Sequence, residues 1–218
     1  IKRNLGFNGD QKQPRDQRAV GAAALMTAVR DQFNDPLTEK MLFEWHRLIM
    51  MGSKGIEAGQ WRTHAEPMQV VSGAVGKEKV HYEAPPSDHV PREMKKFIKW
   101  YNETAPGKSK EIKHAAVRSA VAHLYFETIH PFEDGNGRIG RAISEKAISQ
   151  GLGQPTLISI SKTIEADKNA YYEALKKAQR SNRITPWVAY FVQVIVDAQT
   201  ESEALIDFTL KTTRFFDQ

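Results

Sequence analysis

Apolar residues recur at steps of three and four through most of this 218-residue chain, with one interruption. That step lays side chains along one stripe of an α-helix, and such a stripe must be buried against other helices. Ala19, Val20, Ala23, Met26 and Val29 make a first stripe after Pro14, and Asn34-Asp35-Pro36 stops it. Leu42, Trp45, Leu48 and Ile49 make a second, opened by a Thr38 cap and closed by Gly52. Met94, Phe97, Ile98 and Tyr101 make a third after Pro91. A longer pattern spans 112–129 through Ala116, Ala120, Val121, Leu124 and Phe126. Further helices are expected over 138–151 and 163–180, and a last long one opens at Thr185-Pro186. The interruption is 52–86, where Gly and Pro cluster. There Met68-Gln69-Val70-Val71 and Lys79-Val80-His81-Tyr82 are β-prone runs separated by Ser72-Gly73 and Val75-Gly76. They predict a two-stranded hairpin, which is marginal alone and must lean on the helices. The expected fold is therefore all-α, a helical bundle with a small β-hairpin flap.

Composition narrows the chemistry. There is no cysteine, which excludes a disulfide framework, a thiolate nucleophile and a Cys-based zinc site. The longest apolar run, 187–198, is interrupted by Gln193 and Asp197 and is too short to span a bilayer. No membrane partner is expected, and with no apolar leader at the N-terminus the expected location is cytoplasmic. A net charge of +5 permits an anionic partner such as a nucleotide. Lys95, Lys96, Lys99, Lys176 and Lys177 read as solvated helix faces, and no helix-turn-helix or basic stripe points to nucleic acid. His114, His123 and His130 lie along one helix without the His or carboxylate companions of a transition-metal site.

One polar stretch carries chemistry: His130-Pro131-Phe132-Glu133-Asp134-Gly135-Asn136-Gly137-Arg138-Ile139-Gly140-Arg141, between two expected helices. Gly135, Asn136 and Gly137 at a helix start make an anion cradle, because glycine lets backbone N–H groups approach a phosphate closely. The helix N-terminus adds its dipole and unpaired donors. Arg138 and Arg141 share one face of the first turn, and guanidinium forks match phosphate oxygens. Asp134 is a hard oxygen ligand of the kind Mg²⁺ on a nucleotide requires. His130 offers an imidazole, the natural base near neutral pH. Phe132 and Ile139 belong to the core. Together these groups describe nucleotidyl or phosphoryl transfer to a hydroxyl.

Residues 130–141 resemble the signature of the Fic family, His-Pro-Phe-x-Asp/Glu-Gly-Asn-Gly-Arg-x-x-Arg, at every defining position. Gly59-Gln60-Trp61-Arg62 resembles the family's approach to its flap, and Tyr171-Tyr172-Glu173-Ala174-Leu175 and Thr185-Pro186-Trp187 resemble its later helices. The resemblance implies a protein adenylyltransferase that moves AMP from ATP to a Ser, Thr or Tyr hydroxyl of a target protein. It implies His130 as general base, Asp134 as the Mg²⁺ ligand, and Gly135, Asn136 and Gly137 as the anion hole. It further implies Arg138 and Arg141 as phosphate ligands and Phe132 as the loop's anchor. The hairpin, with Gln69, Val70, Val71, Val80, His81 and Tyr82, would dock the target by strand addition. Tyr171 and Tyr172 are candidates for the adenine wall, with helix packing as their alternative. Gly137 stands where phosphotransferase relatives carry Lys, which favours AMP transfer.

Other donors (UTP, GTP, CDP-choline), AMP removal, and a non-catalytic nucleotide- or target-binding module are the competing readings. Self-modification and a homodimer are compatible with the resemblance. Residues 1–7 resemble the tail that follows the family's inhibitory helix, so 1–13 is read as an N-terminal segment, 14–200 as the catalytic domain and 201–218 as a C-terminal helical extension leading toward a further domain. The inhibitory pattern Ser/Thr-x-x-x-Glu-Gly/Asn is met only in part, at Ser161-Lys162-Thr163-Ile164-Glu165-Ala166. The expectation is an inhibitory helix upstream of Ile1.

Overall fold

A computed structural model describes residues 16–72, 79–156 and 158–216, with backbone alone at 70–72, 79–81 and 214–216. The segment 1–13, Pro14 and the turn signals Gly73, Val75 and Gly76 lie outside the described residues. The described chain forms helices α1 (Gln17–Asp31), α2 (Glu39–Ile49), α3 (Val90–Glu103), α4 (Ala115–Ile129), α5 (Asn136–Leu152), α6 (Ile160–Ala166), α7 (Lys168–Gln179) and α8 (Thr185–Phe216). One antiparallel pair, β1 (Gln69–Ser72) and β2 (Lys79–Glu83), is the only sheet among these residues. The all-α class with a hairpin is as expected. No described helix is long and apolar enough to cross a membrane. The chain divides into two compact units, one up to Pro155 and one from Thr156.

The first unit is built on α4 and α5. Ser119 Oγ donates to Ser144 O, and Gly151 lies where a Cβ would meet Ala115. These contacts run in opposite directions along the two helices, so the pair is antiparallel, as its short connection requires. Trp45, Phe97, Tyr101, Phe126, Phe132 and Ile143 fill the core around them without exposure. Two buried cations tie further elements in. Arg118 donates to Thr104 Oγ1, Gln150 Oε1 and Tyr101 O, with its guanidinium 4.3 Å from the Tyr101 ring centre. Lys146 Nζ donates to the carbonyls of Gln32 and Phe33, just past the end of α1. Both cations are satisfied, as buried charge must be.

Several expectations shift. The buried stripe of α1 is Gly21, Ala23, Leu25 and Val29, while Met26 is exposed. Gly21 sets this: a Cβ there would lie 2.0 Å from Leu48 O, so α1 meets α2 at backbone contact. Helix α4 begins at Ala115 rather than 112, because Ile112 N is held by Thr104 O in the preceding loop. Helix α5 begins earlier, at Asn136, and runs through Gly151 to a cap at Gly153 (φ 69°). The expected helix 163–180 is two helices, divided at Asp167, whose carboxylate accepts from Ala170 N and caps α7.

The hairpin pairs Val70 with Tyr82 and Val71 with Val80, so His81 is the extra residue of a bulge. It does lean on the helices: the Tyr82 hydroxyl donates to Thr128 O at 3.1 Å, near the end of α4. In the second unit, Tyr171 packs edge-on to Trp187, Trp187 stacks on Phe191, and Lys162 pairs with Glu201 at 3.0 Å.

Candidate active site

The loop between α4 and α5 is held by its own Asn136 and by His46 and Arg62 from outside it. Helix α4 stops at Ile129 because His130 is left-handed (φ 50°, ψ 61°) and Pro131 cannot continue a helix. His130 is the only non-glycine residue with positive φ among those described. Its N–H closes the helix on Phe126 O at 2.9 Å. Such a backbone costs about 1–2 kcal/mol for an L-residue, so the surroundings must hold it there. Phe132 follows, fully buried, with its ring centre 4.0 Å from that of His46 and 5.0 Å from that of Trp61. Asn136 then folds back: its side chain accepts from Phe132 N at 2.9 Å and donates to Phe132 O at 2.7 Å. The Asn136 side chain is thus used inside the loop, leaving its backbone N–H for the helix start.

The start of α5 is an open donor surface. Its cap, Gly135 (φ 84°), provides no side-chain acceptor. The first-turn N–H groups of Asn136, Gly137 and Arg138 therefore have no acceptor within the helix. A Cβ on Gly135 would lie 2.6 Å from Ile49 Cδ1, and one on Gly137 would lie 3.1 Å from Arg141 Nη1. The Arg141 guanidinium thus folds back over Gly137. Arg138 divides its fork: Nη1 donates to Ile49 O at 3.0 Å, and Nη2 pairs with Asp134 Oδ2 at 3.2 Å. The Asp134 side chain is 56% exposed. His46 fixes the backbone beneath it. Its Nδ1 accepts from Gly59 N at 2.9 Å, which leaves Nε2 to donate to Asp134 O at 3.1 Å.

Arg62, 2% exposed, lies behind the loop. Its Nε donates to His130 O at 2.8 Å and Nη2 to Ile129 O and Pro85 O, while Nη1 reaches Ser87 Oγ at 2.8 Å. Its own N–H donates to Pro131 O. One guanidinium therefore joins the end of α4, the motif and the base of the hairpin. Under His130, Glu127 Oε2 stands 3.6 Å from Nδ1. Burial pushes the Glu127 carboxyl up, but His130, His123 and Arg141 together outweigh it and hold it below the ordinary carboxylate value. His123 Nδ1 meets Ser144 Oγ at 3.1 Å.

Burial also holds His46 and His123 below the ordinary 6.5. Between that value and the lower folded one, the unfolded chain binds more protons, so each histidine contributes stability that is present above pH 6.5 and lost as pH falls. Glu145, pushed up to about 7 by burial, acts with opposite sign over the same window. The expected result is a difference: in His123→Asn the thermal midpoint falls less steeply between about pH 7 and pH 5 than in the parent chain. Equal slopes would mean that His123 is not held neutral.

Of the residues expected to form the site, His130, Phe132, Asp134, Gly135, Asn136, Gly137, Arg138 and Arg141 lie together in this loop and the first turns of α5. Gln69, Val70, Val71, Val80 and His81 lie in the hairpin. Tyr82 ties that hairpin to Thr128, two residues before His130. Tyr171 and Tyr172 belong to the second unit. Among the described residues no cluster of three metal-ligating side chains occurs. The sequence reading missed His46, Arg62 and Glu127 as parts of the site. Only Glu127 carries a local signal, a carboxylate inside an apolar helix three residues before His130.

Residues 36–147 match the family described as "Fic/DOC family". The chain is similar to the protein adenylyltransferase Fic of Nematostella vectensis, 26% identical over 188 residues, covering 85% of this chain and 37% of that protein. It is similar to the protein of the same name from Drosophila yakuba, 29% identical over 154 residues, covering 71% and 27%. A Fic family protein from Desulfovibrio desulfuricans has a similar structure, with a TM-score of 0.68 at 25% identity, covering 93% of this chain and 57% of that one. The chain thus spans 27–37% of the length of these two curated relatives. The match covers the hairpin, α4, the loop and most of α5: this chain belongs to the Fic/DOC family.

Proposed function

We propose that this chain is a protein adenylyltransferase: it transfers AMP from ATP to a Ser, Thr or Tyr hydroxyl of a target protein and releases pyrophosphate. The observation that carries the reading is the glycine-capped start of α5, where three first-turn N–H groups and Arg141 gather beside a loop that begins at His130. Its donors suit a polyphosphate. Asp134, an exposed carboxylate beside this surface, is the residue that would hold Mg²⁺, which offsets phosphate charge when bound.

In the transfer, the target oxygen attacks the α-phosphorus and the bond to the β-phosphate oxygen breaks. His130 takes the hydroxyl proton. Backbone N–H groups of Asn136 and Gly137 hold the α- and β-phosphate oxygens, and Arg138 and Arg141 hold those further out. Positioning does most of the work in such a reaction. The hairpin offers its strand edge to the target's backbone, and the Tyr82–Thr128 bond keeps that edge close to His130 in the chain's framework.

The test is incubation of the chain with MgATP, alone and with candidate targets, followed by intact mass. The expected result is a gain of one AMP unit that disappears in His130→Ala. A gain of phosphate, retained or not in that variant, would replace this reading with phosphotransfer.

A further inference from the structure

A buried carboxylate in the last turn of α4, against the first turns of α5, needs a reason, since an ionised group costs several kcal/mol in the interior unless it is paired. Glu127 is 4% exposed. The packing makes room for it: a Cβ on Gly140 would lie 2.5 Å from Glu127 Oε1 and 3.2 Å from the His123 ring. Gly140 occupies a position of the motif that the family signature leaves open, and here its missing side chain is what admits the carboxylate between α4 and α5. Glu127 lies three residues before His130, on the same side of the helix end. His130 Nδ1 is buried and makes no hydrogen bond among the described residues, and Glu127 Oε2 faces it at 3.6 Å. A small rotation of either side chain closes that gap to a hydrogen bond. The other charged or polar groups around the pair are His123 on α4, Arg141 from α5, Arg62 on the His130 carbonyl and the Tyr82 hydroxyl on Thr128 O.

We propose that Glu127 is the positioning residue of this site: its carboxylate holds the His130 imidazole in the Nδ1–H form and leaves Nε2 as the nitrogen that receives the target hydroxyl's proton. The inference rests on the transferase reading for its catalytic half only. The proton balance is simple: Glu127 accepts a hydrogen bond and stays ionised, and the proton that leaves the hydroxyl resides on Nε2. A neutral amide at 127 can donate to Nδ1 instead, which turns the imidazole to the Nε2–H form and removes the acceptor. That wrong-tautomer loss is about 10⁴-fold when the buried aspartate of a serine-protease triad is replaced by asparagine.

The experiment reads tautomer and transfer separately. The chain is labelled with ¹⁵N-histidine and its imidazole nitrogens are observed at about pH 8, above the ordinary histidine range. The resonances lost in His130→Ala identify His130. The proposal expects Nδ1–H in the parent chain, a change to Nε2–H in Glu127→Gln, and a fall in the AMP transfer rate of about 10²–10⁴-fold with ATP affinity unchanged. Glu127→Asp keeps the parent tautomer and recovers part of the rate. An Nε2–H parent, or a Glu127→Gln protein with the parent tautomer, overturns the proposal, and the parent measurement decides even if the glutamine variant does not fold. A parent chain with Nδ1–H that modifies no hydroxyl retires the transferase reading and leaves the Glu127–His130 pairing supported.

Discussion

Arg62→Ala is expected to lower the thermal midpoint by about 6–12 °C and to remove AMP transfer together with it. Arg62 meets four acceptors from three parts of the chain: the end of α4 at Ile129 and His130, the base of the hairpin at Pro85, and Ser87 before α3. Truncation takes this donor from groups that are buried or partly buried, at about 1–3 kcal/mol each where water cannot replace it. Local relaxation recovers part of this, so a loss of about 3 kcal/mol is expected. The functional loss has a separate cause. His130 is left-handed, and its carbonyl is fixed by Arg62 Nε, so this guanidinium helps to hold the strained backbone at the base. Arg62→Lys separates charge from geometry: a point ammonium cannot reach all four acceptors, so it should regain little of either property. An Arg62→Ala protein with parental midpoint and labelling would show that loop and hairpin are held by other contacts.

Arg62 also marks how far the sequence could be read. The helical stripes of α2 and α3 were legible because their periodicity, Thr38 cap and Pro start are local. The hairpin was legible from two short β-prone runs within a stretch of glycines and prolines. The motif residues were legible because a cradle of Gly, Asn and Gly between two helices is a local pattern too. Most of what failed depends on contacts between distant residues. Gly21 is not among the residues of the expected first stripe, yet it is the point where α1 touches α2. Gly151 ends the expected helix 138–151, yet it lies inside α5 and admits Ala115. Asp167 divides one periodic run into two helices through a cap that periodicity alone does not reveal. His46 sits 88 residues from the Asp134 carbonyl it holds, and Arg62 68 residues from His130 O. No local pattern assigns such a polar residue to the loop it supports; only the packed fold does.

Two glycines of the cradle should fail in opposite ways, which separates folding from binding. Gly135→Ala places a methyl 2.6 Å from Ile49 Cδ1 on a backbone with φ 84°. The left-handed conformation costs about 1–2 kcal/mol for alanine, and relieving the overlap adds a similar amount. The expected result is a midpoint lower by about 6–12 °C. Gly137 is different. It lies inside the first turn of α5 with ordinary helical backbone, and its added methyl meets only the flexible end of Arg141, at 3.1 Å. Alanine is the better helix former by about 1 kcal/mol, so Gly137→Ala should keep or slightly raise the midpoint. Its damage falls on the ligand. The methyl displaces the Arg141 guanidinium and fills the space where a phosphate would approach the first-turn N–H groups. ATP affinity measured by calorimetry should drop at least about tenfold, about 1.4 kcal/mol, and AMP transfer by more, because misplaced phosphates also lose alignment with the attacking oxygen. A Gly137→Ala chain that binds ATP as the parent does would place the phosphates elsewhere and remove the start of α5 from the site. A Gly135→Ala chain with parental stability would mean that the turn before α5 tolerates a side chain, and the glycine there would then answer to the ligand rather than to the fold.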